Sequence, residues 1–175
     1  MPATDLTVRR LSVLTPADIK GLSAVLVDCV DGGASVGFMQ PFAPERAQAF
    51  WHRIAEGVAS GERALLVAED AQGIVGTVQL VLDQPDNQPH RADLCKMLVH
   101  RRSRRQGTGA ALMRAAETLA RAHAKTLLVL DTANPDAERL YEREGWQRVG
   151  VIPDYALLPG GGLCATTYFY RRLED

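Results

Sequence analysis

Residues 91–110 read RADLCKMLVHRRSRRQGTGA, and the end of that stretch, Arg104-Arg105-Gln106-Gly107-Thr108-Gly109-Ala110, decides how the chain is organised. Arg91–Val99 has the content of a strand, and a helix over about 107–123 sets Leu112, Ala116, Leu119 and Ala120 on one face. The glycines therefore stand where a strand has ended and an amphipathic helix begins. Without side chains, Gly107 and Gly109 allow backbone to come close to a ligand, and the free N–H groups of a first helical turn point into a positive dipole field. That arrangement suits a pyrophosphate. The spacing is not a P-loop's, because no Gly-Lys-Ser/Thr is present, nor G-x-G-x-x-G, because position 112 is Leu. A tight strand-to-helix turn with no ligand is the competing reading of the same residues.

Working towards the N-terminus, Leu6–Leu11 alternates as a strand, and Thr15-Pro16 supplies an N-cap and a first-turn proline, with Asp18 complementing the dipole. Ile19, Leu22, Leu26 and Val30 follow at helical spacing up to Asp31-Gly32-Gly33. A second helix starts near Pro44, with Ala47, Phe50, Trp51, Ile54 and Val58 on its apolar face. Between the helices lies a glycine-rich loop, Gly32–Met39, whose Val36, Phe38 and Met39 could wall a pocket. Strands at 63–69 and 74–82 flank Asp70-Ala71-Gln72-Gly73, and a polar segment, Asp83–His90, leads into Arg91–Val99. Beyond the glycines come a short buried strand, Leu127–Asp131, a helix, Pro135–Glu144, and strands near 146–151 and 164–171. This order, β-α-α-β-β-β-α-β-α-β-β, mixes hairpins with helical crossovers and predicts an α+β fold around a mixed sheet of about seven strands.

The 175 residues are one domain's worth, so 1–175 is expected to be a single domain. Twenty Lys+Arg against 21 Asp+Glu argue against a protein-wide nucleic-acid surface. The local run His100-Arg101-Arg102-Ser103-Arg104-Arg105 lacks interleaved aromatics and fits a solvated loop or guanidinium groups near a phosphorylated cofactor. Cys29, Cys95 and Cys164 are read as free thiols, and neither they nor His52, His90, His100 and His123 have metal-ligand spacing. The apolar runs are far shorter than the ~20 residues of a membrane span, and the polar start Met1–Asp5 does not resemble a signal peptide, so a cytoplasmic protein with no membrane partner is expected.

Asn134-Pro135-Asp136-Ala137-Glu138-Arg139-Leu140-Tyr141-Glu142-Arg143-Glu144-Gly145-Trp146 has the pattern N-x-x-A-x-x-L-Y-x-x-x-G-[FW], following R-x-x-G-x-G. Together with the strand Leu94–Val99, these segments resemble the core of the GCN5-related N-acetyltransferases (GNAT), and the order of elements extends the resemblance over essentially the whole chain. More narrowly, Gly32–Met39 and Arg91-Ala92-Asp93-Leu94 followed by Lys96-Met97-Leu98-Val99 are similar to the tabtoxin-resistance acetyltransferases.

The resemblance implies a mostly antiparallel sheet flanked by helices, with acetyl-CoA as cosubstrate. Its pyrophosphate would lie on Arg104, Arg105, Gln106, Gly107, Thr108, Gly109 and Ala110, and its pantetheine arm would pair with the strand edge at Leu98 and Val99, near Asn134. Tyr141 would be the general acid towards the departing thiolate, or else a core tyrosine. Asn134 serves equally as a plain N-cap. Asp93 and Asp131 are the carboxylates that could hold and deprotonate an ammonium, against capping or solvent-face roles. Gly33, Val36, Phe38 and Met39 would contact the acceptor. The leading expectation is direct acetylation of a small-molecule amine, such as a toxin, antibiotic or amino-acid-like metabolite, with a homodimer left open. Acetylation of a protein N-terminus or lysine would need an open groove between Gly32–Met39 and Pro153–Gly162, and a non-catalytic CoA-binding sensor is the remaining alternative.

Overall fold

The computed structural model describes residues 5–173. Its elements are β1 (Thr7–Leu11), α1 (Pro16–Asp31), α2 (Pro44–Ala59), β2 (Arg63–Asp70), β3 (Gly73–Val81), β4 (Arg91–Val99), α3 (Thr108–Ala122), β5 (Leu127–Thr132), α4 (Pro135–Arg143), β6 (Gln147–Leu157) and β7 (Leu163–Arg172). Their local causes are those the sequence predicts. Thr15 and Asp18 form a reciprocal capping box at α1, with Thr15 N–H donating to Asp18 Oδ2 at 2.9 Å and Asp18 N–H to Thr15 Oγ1 at 3.2 Å. Such caps contribute ~1 kcal/mol each. At the other end of α1, Gln40 Nε2 donates to Val30 O at 3.1 Å, tying the glycine-rich loop to the helix it leaves.

The seven strands form one sheet in the order β1-β2-β3-β4-β5-β7-β6, with every pairing antiparallel except β4 with β5. Strand alternation sends Leu65 and Val67 to one face and Leu66 and Ala68 to the other. The first face is covered by α1 and α2 through Leu22, Leu26 and Trp51; the second by α3 and α4 through Leu112, Met113 and Leu140. Two cores thus sandwich the sheet.

Two irregularities shape what lies between them. In β4 the register jumps from Gln79↔Cys95 to Thr77↔Leu98, a β-bulge in which Lys96 adopts φ +49°. β4 and β5 also pair only at Arg91↔Leu127, Ala92↔Leu128 and Asp93↔Val129, after which β5 stays with β7 as far as Thr132↔Thr167 and leaves β4. The parallel pair opens like a wedge. One expectation changes: the strand predicted near 146–151 continues to Leu157, because irregular pairings between Ile152 and Ala156 let it absorb Pro153, Asp154 and Tyr155 and still rejoin β7.

Candidate active site

The wedge between β4 and β5 holds two cavities that share Ser35, Val36, Met97, Leu98, Thr132, Ala133 and Tyr141. The larger, about 810 Å³, extends over the N-termini of α3 and α4; the smaller, about 310 Å³, is walled by β4, β5, Tyr155 and β7. The shared residues make the two cavities neighbours at the wedge, one at the helix termini and one against β4, β5 and β7.

The turn below the larger cavity is held from outside. Asp28 on α1 accepts from Arg101 N–H at 2.8 Å and Arg101 Nε at 2.9 Å, while Arg102 pairs with Asp70. Burial pushes the Asp28 carboxyl up, but the Arg101 hydrogen bonds and the nearby His100 outweigh it and hold the group below the ordinary aspartate value. The Ser103 and Thr108 hydroxyls, 2.8 Å apart and buried, close the loop on itself. The arginine run is thus divided: Arg101 and Arg102 secure the turn, whereas Arg104 and Arg105 line the cavity.

At the start of α3, Gly107 is the N-cap with φ +84°, and it has no side chain to satisfy the first-turn N–H groups. Arg105 is also left-handed, at φ +58°, an uncommon conformation for a residue with a Cβ. Alternation of left- and right-handed residues turns successive N–H groups to one side. Uncapped amides of Thr108, Gly109 and Ala110 beside an open cavity fit a CoA pyrophosphate. Gly109 lines the cavity and has a second reason to be glycine: its φ is not positive, but a Cβ there would lie 2.8 Å from Leu140 Cδ2. A side chain at Gly109 would therefore have to displace the end of Leu140 on α4.

Leu98, Val99, Arg104, Arg105, Gly107, Thr108, Gly109, Ala110, Asn134, Tyr141, Gly33 and Val36 all line the larger cavity. Beyond Asp93 the β5-facing edge of Leu94–Val99 has no strand partner among the described residues. Asn134 caps α4 by accepting from Asp136 N–H at 2.9 Å, and it also faces the cavity, so its two readings are compatible. Tyr141 is buried, its ring set against Phe169 at 5.7 Å and Trp146 at 6.1 Å, and it borders both cavities. Burial, with the Asp131 charge adding to it, raises its pKa well above the ordinary tyrosine value. The phenol stays protonated.

Asp131 lines the smaller cavity and accepts from Thr166 Oγ1 at 2.7 Å. Four expected residues stand apart from both cavities. Asp93 lies where β4 and β5 are still paired, bound to Arg91 and to Gln84 Nε2 at 3.2 Å. Phe38 turns into an aromatic cluster with Phe42 and Phe50, centroids 4.6 and 5.3 Å away, because its ring is better buried against α2 than against a polar cavity. Met39 is exposed, and Gln106 bends back to donate to Arg102 O at 3.0 Å.

Other wall residues were not singled out from the sequence. Ser35, Cys95, Cys164, Thr166 and Lys96 surround the smaller cavity, brought there by loop and strand ends distant in the chain. Only Lys96 left a trace: it shares the parity of Ala92 and Leu94, which point into an apolar core, and a lysine there signals a bulge.

Residues 34–146 match the acetyltransferase (GNAT) family. An uncharacterised N-acetyltransferase from the hisH–hisA intergenic region of Azospirillum brasilense is 32% identical over 130 residues, covering 73% of this chain and 76% of that protein. The chain belongs to the GNAT family of N-acetyltransferases, enzymes that use acetyl-CoA. Solved structures share the fold at low identity. The Salmonella typhimurium protein yncA, determined with its cofactor acetyl-CoA, has a TM-score of 0.77 at 17% identity, covering 97% of this chain and 95% of its own. The ribosomal-protein-alanine N-acetyltransferase of Brucella melitensis scores 0.80 at 20% identity, covering 95% and 99%. Among the described residues no cluster could hold a metal ion, and no helix is long and apolar enough to cross a membrane.

Proposed function

We propose that this N-acetyltransferase acts on the amine of a small molecule, held in the smaller cavity while acetyl-CoA occupies the larger one. The observation that carries this reading is the set of contacts between the glycine-rich loop and the β6–β7 segment beside the smaller cavity. Gln40 N–H donates to Pro159 O at 2.9 Å, Ser35 Oγ to Leu157 O at 3.5 Å, and Cys164 Sγ to Ser35 Oγ at 3.6 Å. These contacts draw the glycine-rich loop and the segment after β6 together where a peptide acceptor would require an open groove.

The thioester supplies an activated acyl group, and the protein's residues arrange its transfer. Amides of Thr108–Ala110 hold the pyrophosphate, and the free edge of β4 aligns the pantetheine arm. Asp131, at the end of β5, accepts the ammonium proton directly or through water, leaving a neutral amine. As the amine nitrogen bonds to the carbonyl carbon, the C–S bond breaks and Tyr141 gives its proton to the departing sulfur. The proton left by the amine balances the one Tyr141 loses. Neither step needs a covalent enzyme intermediate. An amino-acid-like metabolite or toxin is the acceptor class favoured, in keeping with the tabtoxin-resistance likeness of Gly32–Met39, Arg91–Leu94 and Lys96–Val99.

A panel of small amines with acetyl-CoA, followed by release of free thiol, tests the proposal. Turnover of a small amine is expected. Silence towards every small amine, with acetyl-CoA binding intact by calorimetry and N-terminal peptides acetylated, would overturn it.

A further inference from the structure

The smaller cavity carries two opposite charges that do not neutralise each other. Asp131 lies on its β5 wall, where its hydrogen bond comes from the neutral Thr166 hydroxyl. Lys96 lies on its β4 wall, half-buried, and among the described residues it has no ion pair and no hydrogen bond. The Lys96 Nζ instead sits 6.0 Å from the Phe50 ring centroid, and a Cβ at Gly37 would be 3.8 Å from it. The aromatic face holds the ammonium in place without neutralising it.

Lys96 reaches this position only because the strand is broken for it. Ala92 and Leu94 point into the α3 core, and an unbroken strand would send Lys96 after them. The bulge gives that place to Met97, which packs against the α3 core, and turns Lys96 to the opposite side. The cost is a left-handed backbone at a residue with a side chain, φ +49°, and such outliers persist where surrounding structure enforces them.

We infer that the acceptor carries an oxyanion as well as its amine, and that Lys96 is the residue that selects it. This rests on the small-molecule reading above and narrows it. The acceptor's ammonium is drawn to Asp131 and its acidic group, a carboxylate or a comparable oxyanion, to Lys96, so one molecule satisfies both unpaired charges. Orientation follows. With the acid held at the β4 wall, the amine is presented beside Asp131, next to Tyr141 at the junction of the two cavities.

The test uses matched triplets: α-amino acids, their carboxamides and their decarboxylated amines, each assayed with the intact enzyme and acetyl-CoA by thiol release. The wild type is expected to favour the acid at least tenfold in kcat/KM. Lys96→Met should raise KM for the acid about tenfold, a difference of ~1.4 kcal/mol, and erase the preference, while Lys96→Arg restores part of it. Acetyl-CoA affinity by calorimetry should be the same in all three proteins. Equal use of acid, amide and amine by the wild type, or a preference that survives in folded Lys96→Met, overturns the role of Lys96 and leaves the small-molecule reading standing. Silence towards every member of the triplets and the wider amine panel, with acetyl-CoA binding intact and N-terminal peptides acetylated, overturns both.

Discussion

Gly109 lies so close to Leu140 that a Cβ on the glycine would stand 2.8 Å from Leu140 Cδ2. The first turn of α3, which offers its amides to the larger cavity, thereby meets the Leu140 side chain of α4, the helix that carries Tyr141. Gly107, two residues earlier, has open space around it but a backbone at φ +84°. Gly109→Val should overpack this contact at a cost of ~1–3 kcal/mol and weaken acetyl-CoA binding by displacing α4. Gly107→Ala should cost ~1–2 kcal/mol through backbone strain alone. Denaturant titration with calorimetry separates them. Wild-type stability in Gly109→Val would refute the packing argument.

Tyr141 borders both cavities, and burial holds it in the protonated form. Replacing it by Phe keeps the ring contacts with Phe169 and removes only the hydroxyl. The expected result is a fall in kcat of roughly 10²-fold with little change in acetyl-CoA affinity, as for loss of a general acid. If single-turnover rates are unchanged, the hydroxyl has no part in the chemistry.

Asp131 and Asp93, indistinguishable as strand aspartates in the sequence, are predicted to part company. Asp131→Asn should raise KM for the amine, lower kcat, or both, with acetyl-CoA affinity nearly unchanged. Asp93→Asn, in a group already engaged by Arg91 and Gln84 at the closed end of the wedge, should act mainly on stability. Steady-state kinetics across pH 6–9 decide the matter, and a larger kinetic loss in Asp93→Asn would reverse the assignment.

The buried phenol also has a consequence for alkaline stability. The folded pKa of Tyr141 lies above the ordinary 10.0, so the unfolded chain releases this proton first as pH rises. The stabilisation is fully present below about pH 10 and is lost progressively above it. Unfolding free energies measured from pH 8 to 11 should decline more steeply for wild type than for Tyr141→Phe. Parallel curves would mean the phenol ionises freely in the fold.

Local chemistry made much of the molecule legible from the sequence. Thr15-Pro16 begins α1, Gly32 ends it, and Pro135 opens α4 behind the Asn134 cap, because caps and prolines act within a few residues of themselves. The G-x-G turn before α3 and the Asn134–Trp146 pattern identified the family for the same reason: amides at a helix terminus and one helix face are properties of a contiguous segment. Tertiary structure alone decided which side chains share a cavity. Asp131 and Asp93 carry the same charge on neighbouring strands, and only the point at which β4 and β5 separate puts one inside and the other outside. Phe38 left the expected acceptor wall for an aromatic cluster on α2 that no pattern in its own loop announces. Lys96 enters the smaller cavity through a bulge measured against β3, since the face a side chain occupies is set by pairing register and not by the residue itself.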